Sequence, residues 1–197
     1  MQKEMSDDEV RKKWNRRHSQ ADAAGMPAKV LTENLHLLPL AGNALDLACG
    51  RGVNALYLAE KTKLCVDAWD ISDVAIDRVQ SEAKAKGLTV NAQVKNICLH
   101  PPKANSYDVI IVAHFLDRAL APVLIEALCP GGLLFYQTFT QTAVSNEGPS
   151  SPSMCLKDNE LLELFRPLHV CVYREEGVLG DVEQGWRNLA MLVAKKR

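Results

Sequence analysis

The sequence lacks a long hydrophobic run and an excess of charge of either sign. No stretch approaches the roughly 18 consecutive apolar residues of a membrane-spanning helix, and 23 Lys and Arg residues against 24 Asp and Glu residues leave a net charge of −1. We therefore expect no membrane span and no general attraction to nucleic acid or anionic lipid. The first eight residues, MQKEMSDD, are polar and acidic, unlike a secretory leader. These features favour a cytoplasmic protein with a small-molecule partner.

Cysteine is present, but not with the spacing of a metal site or a disulfide framework. The six cysteines are scattered, and no CxxC pair occurs. Several lie in apolar segments, where a free thiol behaves as a small hydrophobic side chain. We therefore expect no metal site and a reducing compartment. A basic cluster over residues 11–17 is interpreted as a solvated helix face.

The chain has 197 residues, of which 47% are hydrophobic, enough for one domain with a full core. We predict a single domain over residues 1–197, with a helical cap over 1–40 and a core over 41–197. Within the cap, helices are predicted over about 7–18 and 27–38, separated by a break at Gly25-Met26-Pro27.

Short apolar runs alternate with helical patterns from residue 44 onward. Seven runs read as strands: 44–48, 64–69, 89–95, 109–113, 133–138, 168–173 and 189–194. Ser72 is a predicted N-cap, Gly87 a predicted helix end, residues 130–132 a predicted turn and Asp158 a further cap. This order predicts a doubly wound, Rossmann-like α/β fold. Its seven-stranded sheet should be mostly parallel with an antiparallel last strand, and helices should cover both faces.

A glycine turn follows the first predicted strand. Residues 50–55 (GRGVNA) fit the dinucleotide pattern GxGxxG/A, and Asp70 follows Gly50 by 20 residues, so the turn alone is compatible with an NAD-dependent oxidoreductase. Asp46 precedes Gly50 by four residues. A carboxylate beside a pyrophosphate would be repelled by about 1 kcal/mol, whereas it would attract the cationic S-adenosyl-L-methionine. The charge at Asp46 therefore favours the cationic cofactor.

Four segments resemble the ordered motifs of class I S-adenosylmethionine-dependent methyltransferases. They are residues 46–52 (DLACGRG), 66–72 (VDAWDIS), 107–112 (YDVIIV) and 128–134 (LCPGGLL). Within that superfamily, residues 14–17 (WNRR) and 50–59 (GRGVNALYLA) resemble the tellurite-resistance-type and thiopurine-methyltransferase-like branch. The resemblance covers about residues 10–196. It implies methyl transfer from S-adenosyl-L-methionine to a small molecule by in-line displacement.

The resemblance also implies a set of cofactor-binding residues. Asp46 would contact the methionine ammonium group, and Asp70 would accept hydrogen bonds from both ribose hydroxyls. The other predicted contacts are Ala48, Gly50, Gly52 and Asn54 in the turn and its helix, Ile71, Asn96 and Ile97 around adenine, and Ala113 and His114 at the methionine end.

Two of these residues depart from the family pattern. Ala48 replaces a common glycine, which is tolerable if its backbone stays extended. Asn96 replaces a common aspartate, so it would accept from the adenine amine without help from a charge.

The acceptor side offers fewer signals. His114 is a candidate base or positioning group, with a structural histidine as the alternative, and Arg187 is a candidate for steering an anionic acceptor. Trp14 and Arg17 are expected either to form a lid or to belong to a packed helix. The polar stretch 140–153 is expected to be functional or disordered.

A thiol or chalcogen oxyanion is the favoured acceptor class, because it needs little base catalysis. Two other functions stay open: a regulatory protein that binds S-adenosyl-L-methionine without turnover, and an NAD-dependent oxidoreductase. The expected state is a monomer or weak homodimer without nucleic acid.

Overall fold

The computed structural model describes residues 6–20 and 25–197. Residues 1–5 and 21–24, which belong to the predicted helical cap, lie outside the described residues. The strands are β1 (Asn43–Leu47), β2 (Cys65–Asp70), β3 (Val90–Val94), β4 (Tyr107–Ala113), β5 (Leu128–Phe139), β6 (His169–Arg174) and β7 (Leu189–Lys195). The α-helices are α1 (Asp7–Ser19), α2 (Lys29–Thr32), α3 (Val53–Lys61), α4 (Asp73–Lys86), α5 (Ala121–Ala127) and α6 (Glu160–Leu164).

The strands form one seven-stranded sheet in the order β3-β2-β1-β4-β5-β7-β6. The β1–β2, β2–β3 and β4–β5 pairs are parallel, and β7 runs antiparallel to both of its neighbours. The predicted Rossmann-like sheet, mostly parallel with an antiparallel last strand, is therefore confirmed. In the described ranges, no helix combines the length and the apolar character needed to cross a membrane.

The chain divides into two compact units. The first contains the described residues up to Pro27 together with Leu40–Pro101, and the second contains Ala28–Pro39 together with Pro102–Arg197. In the first unit, β1 is buried along Ala44, Leu45 and Leu47. In the second unit, β4 is buried from Val109 to Val112 and β7 from Ala190 to Ala194. Such apolar runs are typical of strands covered on both faces.

The predicted ends of α4 are confirmed. The Ser72 hydroxyl accepts a hydrogen bond from the Ala75 N–H at 3.1 Å, which satisfies one of the free donors at the helix start. The helix ends at Gly87, whose φ of +64° is the left-handed conformation that glycine adopts readily.

The helix predicted over residues 27–38 is wrong in its length. Only Lys29–Thr32 is α-helical, and a 3-10 turn follows at Leu35–Leu37. Asn34 has a φ of −120°, which is not helical, and its amide donates to the Val30 carbonyl at 2.9 Å. The asparagine side chain therefore takes a bond that a continuing helix would give to the backbone.

Two other local predictions also need correction. Residues 130–132 lie inside β5 instead of forming a turn before it, because Gly131 N–H donates to Lys196 O and Lys196 N–H donates to Gly132 O, which extends the ladder with β7. The N-cap of α6 is Asn159, not Asp158. The Asp158 carboxylate instead accepts from the Thr142 hydroxyl at 2.7 Å.

Candidate cofactor-binding site

The turn after β1 uses left-handed backbone at alternate residues. The φ angles are +54° at Ala48, +53° at Gly50 and +70° at Gly52. The expectation that Ala48 keeps extended geometry is therefore wrong, and its left-handed conformation costs about 1–2 kcal/mol. The Cys49 N–H donates to the Trp69 carbonyl at 3.0 Å, which holds the turn against the end of β2.

Gly52 is required by its surroundings as well as by its backbone. A Cβ at this position would lie 2.5 Å from Cγ2 of Val79 in α4, and one at Gly50 would lie 3.2 Å from Cε1 of His18 in α1. The missing side chains allow the start of α3 and the turn itself to approach their neighbours closely.

Asp70, the last residue of β2, joins the glycine turn after β1 to the turn that follows β2. Its side chain is buried, one oxygen accepts from the Gly50 N–H at 2.8 Å, and the other accepts from the Ser72 N–H at 2.8 Å. Each oxygen of a carboxylate has two lone pairs. Asp70 can therefore hold both turns and still accept one further hydrogen bond on each oxygen.

Asp46 lies against the first turn of α3. Its carboxylate accepts from the Ala55 N–H at 3.0 Å, where the partial positive charge of the helix N-terminus favours it. The side chain is only 1% exposed. Burial raises the pKa of Asp46 to about 7, although hydrogen bonds from Ala55 and from the Asn54 side chain act in the opposite direction. The predicted contact of Asp46 with the methionine ammonium group stays a prediction.

The residues predicted to surround adenine lie after β2 and β3. Ile97 is buried and Ile71 is half-buried. Asn96 is half-buried, its amide nitrogen donates to Asp7 of α1 at 2.7 Å, and its oxygen accepts from the Cys98 N–H at 2.9 Å. One lone pair of the amide oxygen thus remains for an adenine amine.

Helix α1 contacts this part of the first unit through residues that sequence reasoning missed. The Asn15 side chain accepts from the Ser72 hydroxyl at 2.7 Å and donates to Asp73 at 2.5 Å. His18 lies beside Gly50, and burial lowers the pKa of its imidazole. Asn15 belongs to the WNRR segment at residues 14–17, so its sequence context did point to this region. Only Trp14 and Arg17 of that segment have predicted roles.

The Trp14 ring contacts both His18 and Arg17. The Trp14 ring stacks with the His18 ring at 5.8 Å between centroids, and the Arg17 guanidinium lies 5.4 Å from the centroid of the Trp14 ring. Neither tryptophan nor arginine is buried. Whether these side chains act as a lid stays a prediction.

In the second unit, Ala113 ends β4 and His114 follows it with a φ of +56°. The backbone N–H of His114 donates to the Gln137 carbonyl at 2.8 Å, and its Nε2 lies 3.3 Å from Nε2 of Gln137. The imidazole ring is 5.3 Å from the Phe139 ring, and partial burial lowers the pKa of His114. Burial thus favours the neutral form of the ring.

Arg187 and the stretch 140–153 are held by hydrogen bonds within the second unit. Arg187 donates to the carbonyls of Gln184 at 2.6 Å, Asp181 at 2.8 Å and Gly177 at 2.9 Å, which organises the loop before β7. The Asn188 side chain accepts from the Val144 N–H at 2.8 Å, at the start of the 140–153 stretch. A steering role for Arg187 stays a prediction.

Part of this chain resembles known methyltransferases. Residues 44–132 match the family model described as "Methyltransferase domain". A ubiquinone biosynthesis O-methyltransferase from Coxiella burnetii is 28% identical over 104 residues, which are 50% of this chain and 44% of that protein. The matched part of this chain is thus similar to methyltransferase domains, which is what the resemblance in the sequence implied. The match spans less than half the length of that relative.

Solved structures show the same fold at low identity. A SAM-dependent methyltransferase from Aquifex aeolicus has a TM-score of 0.67 and 17% identity, with 93% of this chain and 98% of that chain covered. TehB from Haemophilus influenzae has a TM-score of 0.69 and 20% identity, with 96% of this chain and 68% of that chain covered. At these identities the likeness concerns the fold alone.

Proposed function

We propose that this chain transfers the methyl group of S-adenosyl-L-methionine to a small molecule. The observation that carries the proposal is Asp70, whose carboxylate orders the glycine turn and keeps one acceptor site on each oxygen. Two adjacent ribose hydroxyls need such a pair of acceptors. A hydrogen bond to a charged group contributes about 1.5–3 kcal/mol, enough to make Asp70 the main determinant of affinity.

The buried charge at Asp46 fits a cationic cofactor. Among the described residues no ion pair involves Asp46, although its side chain is 1% exposed. A buried carboxylate without a cationic partner is costly, and a positive group that approaches it stabilises it. Around the cofactor we assign Ala48, Gly50, Gly52 and Asn54 to the glycine turn, Ile71, Asn96 and Ile97 to the adenine, and Ala113 and His114 to the methionine end.

Bound S-adenosyl-L-methionine supplies an electrophilic methyl group on a positively charged sulfur. The protein's part is to orient this group and the acceptor in line, which converts a bimolecular step into an effectively unimolecular one. We propose a thiol or chalcogen oxyanion as acceptor and the tellurite-resistance-type branch as the nearest group. The proposed molecule is a cytoplasmic monomer or weak homodimer forming one domain over residues 1–197.

A methyl-transfer screen tests this proposal. The purified protein is incubated with S-adenosyl-L-methionine and with selenite, tellurite or a series of thiols, and the demethylated cofactor is quantified. We expect acceptor-dependent product with at least one of these acceptors. Cofactor binding without turnover on any of them would favour the regulatory alternative, and binding of NAD(H) alone would favour the oxidoreductase.

A further inference from the structure

We propose that Gln137 is a positioning residue that holds His114 as the neutral tautomer protonated on Nδ1, so that His114 serves as a hydrogen-bond donor and not as a base. The acceptor must then reach the site already able to attack, as a thiolate or a chalcogen oxyanion. The part of this inference that concerns the acceptor rests on the proposed function. The part that concerns the tautomer rests on the geometry of three residues in the second unit.

The amide of Gln137 has a fixed orientation. Its Oε1 accepts from the Val30 N–H in the first turn of α2 at 2.9 Å. Val30 is fully buried and Gln137 is 2% exposed, so this N–H requires a protein partner. An amide has one oxygen and one nitrogen, and the oxygen faces Val30. The side-chain nitrogen of Gln137 therefore faces His114.

This orientation decides which nitrogen of His114 carries the proton. Nε2 of Gln137 is only a donor, and it lies 3.3 Å from Nε2 of His114. A proton on that ring nitrogen would place two N–H groups against each other. Nε2 of His114 must therefore accept, and in the neutral ring the proton resides on Nδ1.

The backbone fixes the same pair of residues independently. Ala113 is opposite Gln137 in the β4–β5 register, and the His114 N–H donates to the Gln137 carbonyl at 2.8 Å. His114 has a left-handed φ of +56°, which a residue other than glycine seldom adopts and which occurs preferentially at functional sites. The ring also packs at 5.3 Å from the Phe139 ring. The imidazole is thus held in place from the backbone and from its side chain.

The tautomer restricts the chemistry available at this position. With Nε2 engaged, His114 presents Nδ1–H to a bound acceptor and takes up no proton. In the transfer, a lone pair of the anionic acceptor forms the bond to the methyl carbon, while the carbon–sulfur bond pair remains on sulfur. The acceptor loses one negative charge and the sulfur loses its positive charge, so no proton has to leave. Alcohols and protonated amines, which must lose a proton, are poor acceptors here.

Nitrogen-15 NMR of the histidine side chains tests the tautomer in the protein without ligands. The chain has five histidines, and His114→Gln assigns the signal of interest. At pH 7.5 we expect His114 to show a protonated Nδ1 and an unprotonated Nε2.

Gln137→Glu keeps the acceptor for the Val30 N–H but replaces the donor toward His114 by a carboxylate oxygen. This variant should move the proton to Nε2 or charge the ring. A wild-type His114 protonated on Nε2 would overturn the inference.

Activity tests the acceptor class separately. With two thiols of different pKa, the rising limb of the kcat/KM profile against pH should move with the pKa of the thiol in the wild type. In Gln137→Glu a further limb from His114 should appear, whereas His169→Gln, which changes an exposed histidine on β6, should leave the profile unchanged. A wild-type limb that stays fixed for both thiols would overturn the donor role. Absence of turnover with every acceptor would instead contradict the proposed function and leave the NMR result standing.

Discussion

Gly52 and Gly87 share a left-handed backbone but differ in their surroundings. Their φ angles are +70° and +64°, yet a Cβ at Gly52 would lie 2.5 Å from Val79, whereas nothing lies within 4 Å of one at Gly87. Gly87→Ala should reduce the free energy of unfolding by about 1 kcal/mol, from backbone strain alone. Gly52→Ala should reduce the free energy of unfolding by about 1–3 kcal/mol more than Gly87→Ala, because the added methyl group would overpack the contact with Val79. Urea unfolding measures both, and equal losses would contradict the packing role of Gly52.

Because of Asp46, the free energy of unfolding should fall as the pH rises through the range between its ordinary and its raised pKa. Its pKa is raised to about 7 by burial, from an ordinary value of 3.8. Below about pH 4 the carboxyl is protonated in both states, and between about pH 4 and 7 only the unfolded chain releases the proton. The free energy of unfolding therefore falls by about 4 kcal/mol over this window and then levels off.

The variant Asp46→Asn isolates this contribution. It keeps an oxygen for the Ala55 N–H and removes the titration, so the fall between pH 4 and 7 should be largely abolished. Asp67→Asn, on the neighbouring strand β2 and half-exposed, is the matched control and should retain the wild-type slope. Parallel pH dependences of the wild type and Asp46→Asn would show that Asp46 is not responsible.

At the residue scale, the sequence predicts local motifs well and backbone strain poorly. Asp46 and Asp70 follow from their places at the ends of predicted strands, where side chains meet at one edge of a parallel sheet. The left-handed Ala48 does not follow, because alanine in other contexts favours extended or helical backbone. The partners of Gln137 do not follow either, since Val30 and His114 are distant in sequence.

At the scale of the element, α1 depends on Asn15 for its position. No residue of α1 is buried, so few apolar contacts hold the helix, and the Asn15 side chain joins it to Ser72 and Asp73. Asn15→Ala should raise amide hydrogen exchange over residues 7–19 by about 30-fold, because two hydrogen bonds of about 1 kcal/mol each are lost. Alanine has the higher helix propensity, so faster exchange would reflect lost docking and not a weaker helix.

Lys13→Ala supplies the comparison for this experiment. Lys13 is exposed on the same helix, and its replacement should leave the exchange of residues 7–19 unchanged. Equal exchange in the wild type and Asn15→Ala would show that other contacts of the first unit hold α1.

The element boundaries show where pattern reasoning is insufficient. The ends of α4 were predictable because Ser72 and Gly87 act through their own backbone. The length of α2 and the inclusion of residues 130–132 in β5 depend on partners elsewhere in the chain, namely the Asn34 side chain and Lys196. Local propensity contains no information about such partners.

At the scale of the whole molecule, the alternation of strands and helices was sufficient to predict the sheet. Parallel neighbours need crossover connections, which restricts the strand order to few possibilities. The acceptor did not follow in the same way, because acceptor specificity lies in loops and side chains whose partners are set by the fold.

The central claim is that the first unit binds S-adenosyl-L-methionine through Asp70. Titration calorimetry with the demethylated cofactor measures this directly. We expect a Kd below about 1 µM for the wild type, a weakening of about 10- to 100-fold in Asp70→Ala, and no change in Asp67→Ala, where the lost carboxylate accepts from Asn91 within the sheet. Tight binding of NAD(H) with no affinity for the demethylated cofactor, or an Asp70→Ala variant as tight as the wild type, would contradict the claim.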